Sequence, residues 1–531
     1  MTRLWVNSAW KYASPQRREA VVLGALIILA LVLRLASVRQ QSFWYDESLT
    51  VADSHLPFSR MLGLVLGQET TPPAYFILAW AWSRIAGSGE LGLRLFSVLC
   101  GTATVPVAYA AAARLFSRRT ALITALLVAT SPFMVWYSQE ARSYALLVLV
   151  AALSFWAFAR AFSSADSRSL AWWAVASSAS LIVHYFAIFL VLAEAAWLCV
   201  VRTDRGAVGL ATLSVALTEV AIAPLALVAR QGVGLGWIPA ISLSRRVAEL
   251  PVHFAAGLDS PHHVRIATVA LAVALPAVGY ALWRAPADHR RTARACATVG
   301  LGTIALPLVL AVTGADYLVS RNVIVAWVPI AVVVASGLAT LPRRALGNLA
   351  VVVLCMVSLV VDASVVGDAT FQRPRWRQLA RLLGPPHGRR IIVVAGFYRA
   401  LPLRLYLPRA GFVPLHGVDV REVDVVGMRS PHRGPCWWGA QCNLPSARPA
   451  SLPPSRRFFT VSRQSSGQFL VVRFRASSSV VLKPDEYGQF FQRAYARPRR
   501  DEFFLVQPAV PPRRDRRSQV FRPRGESPVG Q

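Results

Sequence analysis

The chain has 531 residues, 55% of them hydrophobic, with mean hydropathy +0.45 and a formal net charge of +31. So apolar a composition excludes an ordinary soluble domain. The charge does not mark a nucleic-acid binder, because the arginines before about Val361 stand in short breaks between apolar runs and form no continuous basic face.

The pattern divides the chain in two. Long apolar runs fill residues 1–361 and predict a polytopic membrane domain. Residues 362–507, polar and rich in Pro and Arg, predict a water-facing α/β domain, and 508–531 a disordered tail. The first apolar run, Ala20–Val38, reads as a retained span. It is long, carries Arg34 and is followed by no small-residue cleavage site.

A span needs roughly 20 apolar residues. Eleven segments qualify: 20–38, 92–114, 120–137, 143–160, 169–184, 185–201, 207–228, 264–283, 295–314, 322–341 and 345–361. With a cytoplasmic N-terminus (Arg3, Lys11, Arg17, Arg18), the cytoplasmic breaks are Arg118–Arg119, Arg160–Arg168, Arg202–Arg205, Arg284–Arg294 and Arg343–Arg344, all basic. The opposite breaks carry Asp46, Glu47, Glu69, Glu90, Glu140, His184 and Asp316, a separation that follows the positive-inside rule. One long span over 169–201 would set Arg168 and Arg202 on opposite sides, so a short hairpin with His184 at its outer tip is preferred. Pro73–Ala86 is apolar but too short to span. It reads as a juxtamembrane helix at the outer interface, where Tyr75, Trp80 and Trp82 belong.

An odd number of spans places the C-terminal domain outside. Within it, 375–384 and 398–407 read as helices, and 390–395 and 468–475 as strands. From Asp362 onward there are 29 basic and 11 acidic residues. Such a domain could rest on anionic lipid headgroups or an acidic glycan, or simply share the chain's general richness in arginine. Cys436 and Cys442 are spaced to permit a disulfide in an oxidising compartment, and two thiols beside Trp437 and Trp438 are the equal alternative.

The chemistry-bearing residues gather at the outer breaks. Asp46 and Glu47 follow Phe43, Trp44 and Tyr45 just past the first span. Glu140 and Arg142 end the third span, His184 marks the next tip, and Asp316, Tyr317 and Arg321 lie in the last outer break. Each has a bland reading as an ion pair, an interface anchor or a helix cap. Collected at one membrane depth, such groups usually mark a site. No phosphate loop, nucleotide fingerprint, nucleophile elbow or HExxH motif occurs. Carboxylates and arginines at an outer face suit group transfer from a membrane-borne phosphate ester. One acid would take a proton from an acceptor hydroxyl, and arginines, with a divalent metal ion as a further candidate, would stabilise the departing phosphate.

WYDES in the first outer loop resembles the Asp-Glu motif of the GT-C glycosyltransferases, and more narrowly of the protein O-mannosyltransferase and aminoarabinose-transferase group, glycosyltransferase family 39. TTPPAYFILAW, GLRLFSVLCGTATVPVAYAAAARLF, SPFMVWYSQEARSYALL, SRNVIVAWVPIAVVVASGL, RPRWRQLARLL and ALPLRLYL follow in the family's order, from about residue 20 to 410. The resemblance implies a GT-C-type helical membrane fold with an extracytoplasmic α/β domain, a polyprenyl-phosphate sugar donor and inversion at the anomeric carbon. It also implies a glycan, glycolipid or protein acceptor, with mannose the family's commonest sugar. Asp46 becomes the catalytic base and Glu47 its companion acid. Arg142, Arg321, Glu140, Tyr45 and Tyr317 become candidates for substrate binding, and Glu140 and His184 for a metal. Two departures stand out: Thr71 precedes the Pro pair where relatives carry a ligand-type residue, and Asn322 replaces a Tyr. The alternatives are a flippase of a lipid-linked sugar, which should show internal repeats and midplane polar groups, and an inactive scaffold.

Overall fold

The computed structural model describes residues 15–164, 166–231, 238–395, 397–407, 409–414, 416–428, 457–483, 486–487, 489–490, 494 and 502–508. The chain separates into two units, Met1–Pro374 and Arg375–Gln531. Cys436, Cys442 and the tail from 509 lie outside the described residues.

The first unit is helical. Its elements are α1 (Pro15–Leu35), α2 (Tyr45–Ser54), α3 (Phe58–Gln68), α4 (Ala74–Ala86), α5 (Glu90–Leu115), α6 (Arg118–Thr130), α7 (Pro132–Ser138), α8 (Tyr144–Ser163), α9 (Ser167–Val183), α10 (Ile188–Val201), α11 (Arg205–Gln231), α12 (Leu243–Ala256), α13 (His263–Gly279, extended by a π-turn to Arg284), α14 (Ala287–Val312), α15 (Trp327–Thr340, preceded by a 3₁₀ segment from Ser320) and α16 (Arg344–Gly367).

Among the described residues, seven of these helices are long and apolar enough to cross a membrane, or eight if the bent pair α6–α7 is one span. That is fewer than the eleven expected, although a helix lies at every one of the eleven segments. The difference has three sources. Helix α1 carries Arg17, Arg18, Glu19 and Arg34, which dilute its apolar run. The α6–α7 pair is broken. Helices α9 and α10 have only 17 and 14 residues, short of the roughly 20 that a bilayer requires.

The break is legible in its chemistry. Pro132 has no N–H to offer Val128, and α6 and α7 diverge by 56° at Ser131–Pro132. The freed carbonyls of Val128 and Ala129 accept from the guanidinium of Arg34 at 3.1 and 3.0 Å. Arg34 is fully buried and also donates to Ser138 Oγ. Backbone groups freed in an apolar interior need such a partner. Gly101 admits the arrangement, since a Cβ there would sit 2.0 Å from Ser138 Oγ and 3.0 Å from Arg34 Nε. Small residues serve close helix packing elsewhere too: a Cβ on Gly337 would strike the Ala277 carbonyl at 2.0 Å.

The second unit carries α17 (Trp376–Leu383), β1 (Arg390–Ala395), α18 (Phe397–Tyr406), β2 (Gly411–Phe412), β3 (Val418–Met428), β4 (Phe458–Ser466), β5 (Phe469–Leu482) and β6 (Glu502–Gln507). The strands form one sheet in the order β2-β6-β1-β3-β5-β4, with β1 and β3 parallel and the other pairs antiparallel. Alternation in β1 sends Ile391 and Val393 to one core and Ile392 and Val394 to another, where Leu379, Leu383 and Leu403 of the helices pack.

Candidate functional site

Helix α2 begins directly at the motif picked out in the sequence. Asp46 and Glu47 occupy its first turn, where carboxylates favour the helix dipole. Being neighbours on a helix, they point about 100° apart, and their surroundings differ accordingly.

Glu47 is fully buried. Its Oε1 accepts from Arg94 Nε (2.7 Å) and the Ala141 amide (2.8 Å), and its Oε2 from Arg94 Nη2 (2.6 Å) and the Trp44 amide (3.2 Å). Arg94, on α5, also donates to the carbonyls of Val38, Gln41 and Ser42. Burial opposes the charge on Glu47, but the Arg94 guanidinium outweighs it and holds the carboxyl below the usual range. Expected as the motif's second acid, an orienting partner or a metal contact, Glu47 has all its acceptor sites taken. It ties the end of the first loop, α5 and the 139–143 turn into one piece.

Asp46 faces the open side, with 18% of its side chain exposed. Arg321 Nη1 lies 3.5 Å from its Oδ2, and Arg142 Nη1 lies 3.5 Å from its backbone carbonyl. Burial lifts the Asp46 carboxyl above the ordinary aspartate range, Arg142 and Arg321 pull it down, and Glu69 and Glu47 push it up. A carboxylate so placed is a stronger proton acceptor than one in water.

The arginines come from distant breaks. Arg142 ion-pairs with Glu69 at 3.2 Å and lies over the Phe76 ring. Arg321 stands over Tyr144, 5.9 Å from the ring centroid. Its segment is braced by Asp316, whose carboxylate is gripped by both terminal nitrogens of Arg246, which also donates to the Leu318 carbonyl. Tyr45 is half-buried beside Asp46. Tyr317 packs on Phe186 at 5.6 Å, and its carbonyl accepts from Asn322.

Glu140 and His184 have separate partners. Glu140 is buried and takes Arg373 Nη2 at 3.1 Å on one oxygen, while its Oε1 finds no hydrogen-bond partner among the described residues. Burial raises its carboxyl to about 7, against the opposing pull of Arg373. His184 is buried among Tyr144 and Phe186, and its Nδ1 accepts from the Phe186 amide at 3.2 Å. Burial first, then Arg142 and Arg321, drive its pKa down to about 3, so the ring is neutral. Among the described residues no group of three His, Cys, Asp or Glu could hold a metal.

Four site residues carry no signal that sequence reasoning weighed as a site. Arg94 stands in GLRLF and Arg373 in RPRW, each inside a quoted motif. Glu69 precedes the Pro pair. Arg246 sits on α12, a helix that no sequence pattern announced.

Residues 70–228 match the family described as dolichyl-phosphate-mannose-protein mannosyltransferase. A crystal structure of ArnT from Cupriavidus metallidurans bound to undecaprenyl phosphate is 14% identical, with TM-score 0.53, covering 85% of this chain and 97% of that one. The apo state of ArnT from the same organism is 15% identical, with TM-score 0.51, covering 72% and 84%. No curated protein sequence matches the chain. The resemblance to the GT-C glycosyltransferases therefore holds in the family match and in the fold.

Proposed function

We propose that the chain is an integral membrane glycosyltransferase. It moves a sugar, mannose or a similar one, from a polyprenyl-phosphate donor to a hydroxyl acceptor at the outer face, with inversion. The N-terminus is cytoplasmic and the second unit extracytoplasmic. The observation that carries the reading is the Asp46 carboxylate, partly open and flanked by Arg142 and Arg321 from two remote breaks.

The chemistry follows from that geometry. The Asp46 carboxylate removes the acceptor O–H proton as the oxygen attacks the anomeric carbon. The bond from that carbon to the phosphate oxygen breaks, and the lipid phosphate leaves with the electron pair. Arg321 and Arg142 supply fixed positive charge where the phosphate's charge grows. Arg321 is shared between base and phosphate, which keeps the two reacting groups in register. The partly exposed Tyr45 and Tyr317 offer stacking or hydrogen bonding to the sugar. Glu47 acts through position alone, and no step runs through a metal.

The ordering of motifs, the family match over 70–228 and the ArnT-like fold all support transfer, and nothing specifically favours flipping. The test is reconstitution of the full chain in lipid nanodiscs with a panel of polyprenyl-phosphate sugars and acceptors. Wild type should release polyprenyl phosphate in step with glycosylated acceptor, and Asp46→Asn should not. Sugar movement across the bilayer without bond cleavage, or an Asp46→Asn variant of full activity, would overturn the reading.

A further inference from the structure

Helices α10 and α14 pack side by side. Both have one end at the carboxylate site: α10 begins just after His184, and α14 leads into Asp316 and Arg321. Their other ends therefore lie on the opposite face of the bundle, roughly 39 Å away along the 26-residue α14. There a cavity of about 380 Å³ opens between them, lined by Arg290, Arg291 and Arg294 on one side and by Trp197, Val200 and Val201 on the other.

The lining is amphipathic in a particular way. Three arginines within five residues of α14 line it together. Arg290 and Arg294 are steadied by the carbonyls of Ala285 and Leu282. Among the described residues no acidic side chain lines the cavity. The opposite wall is apolar: Val200 is 74% exposed, and the Trp197 indole N–H, though buried, finds no hydrogen-bond partner.

We propose that this cavity is a binding site for the headgroup of an anionic glycerophospholipid. Its phosphodiester would sit on the Arg290, Arg291 and Arg294 guanidiniums, and its acyl chains would run along Trp197 and Val200. A soluble anion would gain nothing from the exposed apolar wall, whereas a lipid satisfies both walls at once. Basic pockets between membrane helices recognise such headgroups through this combination. The site lies at the end of α14 opposite the one that leads into Asp316 and Arg321, and none of Asp46, Arg142 and Arg321 lines it. Only its assignment to the inner leaflet rests on the proposed orientation.

The experiment is native mass spectrometry of the purified full chain, titrated with phosphatidylglycerol, with phosphatidylcholine and with inorganic phosphate. Wild type should retain one phosphatidylglycerol more tightly than any phosphatidylcholine, and inorganic phosphate should not displace it. Arg291→Gln/Arg294→Gln should bind that lipid roughly 30-fold more weakly. The matched charge loss Arg343→Gln/Arg344→Gln should leave it in place, and thermal unfolding should be alike in both variants, whose substituted side chains are exposed. Equal loss in the two double variants would show general surface attraction and overturn the site. So would displacement by inorganic phosphate, or equal retention of the two lipids. None of these readouts depends on sugar transfer, so a failed transferase assay would leave the result intact.

Discussion

Two sides of one helix turn hold the two acids that the sequence sets next to each other, and they have opposite environments. On the Glu47 side every acceptor site is filled and no solvent reaches the carboxylate. On the Asp46 side the carboxylate lies 3.5 Å from Arg321 and stays partly exposed. A closed ion pair fixes geometry, whereas an open one can exchange partners with a substrate. On the proposed mechanism, the adjacent carboxylates divide into anchor and reagent, and the closed one makes the other's position reproducible.

The largest effect that would break this division is loss of the reagent. Asp46→Asn should lower the turnover of sugar transfer by about 10²–10⁴-fold while the protein unfolds at its normal temperature. Loss of the anchor should do the reverse. Arg94→Ala leaves Glu47 buried without its cation and should cost about 3–5 kcal/mol, read as a lowered unfolding temperature. Replacing both Glu47 and Arg94 by Met should recover much of that stability, since no unpaired charge then remains buried. If Arg94→Ala proved stable, the anchor assignment would fall.

Smaller changes sharpen the open side. Arg321→Gln should cost roughly 10–100-fold in turnover, the scale of one charge-assisted hydrogen bond. It should also move the acid limb of the pH–rate profile. The base must be ionised, and burial already raises the Asp46 carboxyl, so the wild-type limb lies above the range of an exposed aspartate. Removing a positive neighbour raises that pKa further, and the limb should shift to higher pH. A limb that stayed in place would separate Arg321 from Asp46.

The smallest effect concerns Glu140. Its carboxyl, at about 7 in the folded chain against 4.5 in the unfolded one, binds more protons when folded. Its contribution to stability is therefore present at pH 4–5 and is lost as pH rises through 7. Thermal unfolding of wild type should show that slope, on the order of 1 kcal/mol, and Glu140→Gln should lack it.

The sequence alone determined that a helix lies at each of the eleven apolar segments and within Pro73–Ala86, and that Asp46, Arg142 and Arg321 stand in breaks between apolar runs. Hydrophobic runs and charge placement are local properties, and a bilayer reads them segment by segment. It also marked β1, α17 and α18, through alternation and period. Only the tertiary structure decided that Glu47 is an anchor, because its partner Arg94 is 47 residues away. The same holds for Glu140 with Arg373, and for Arg246 bracing the Arg321 segment from α12. A charged residue's job depends on which counter-charge reaches it and whether water follows. Nothing in a linear pattern records either, so the carboxylate that stays partly open and the carboxylate that is closed off look alike until the chain is folded.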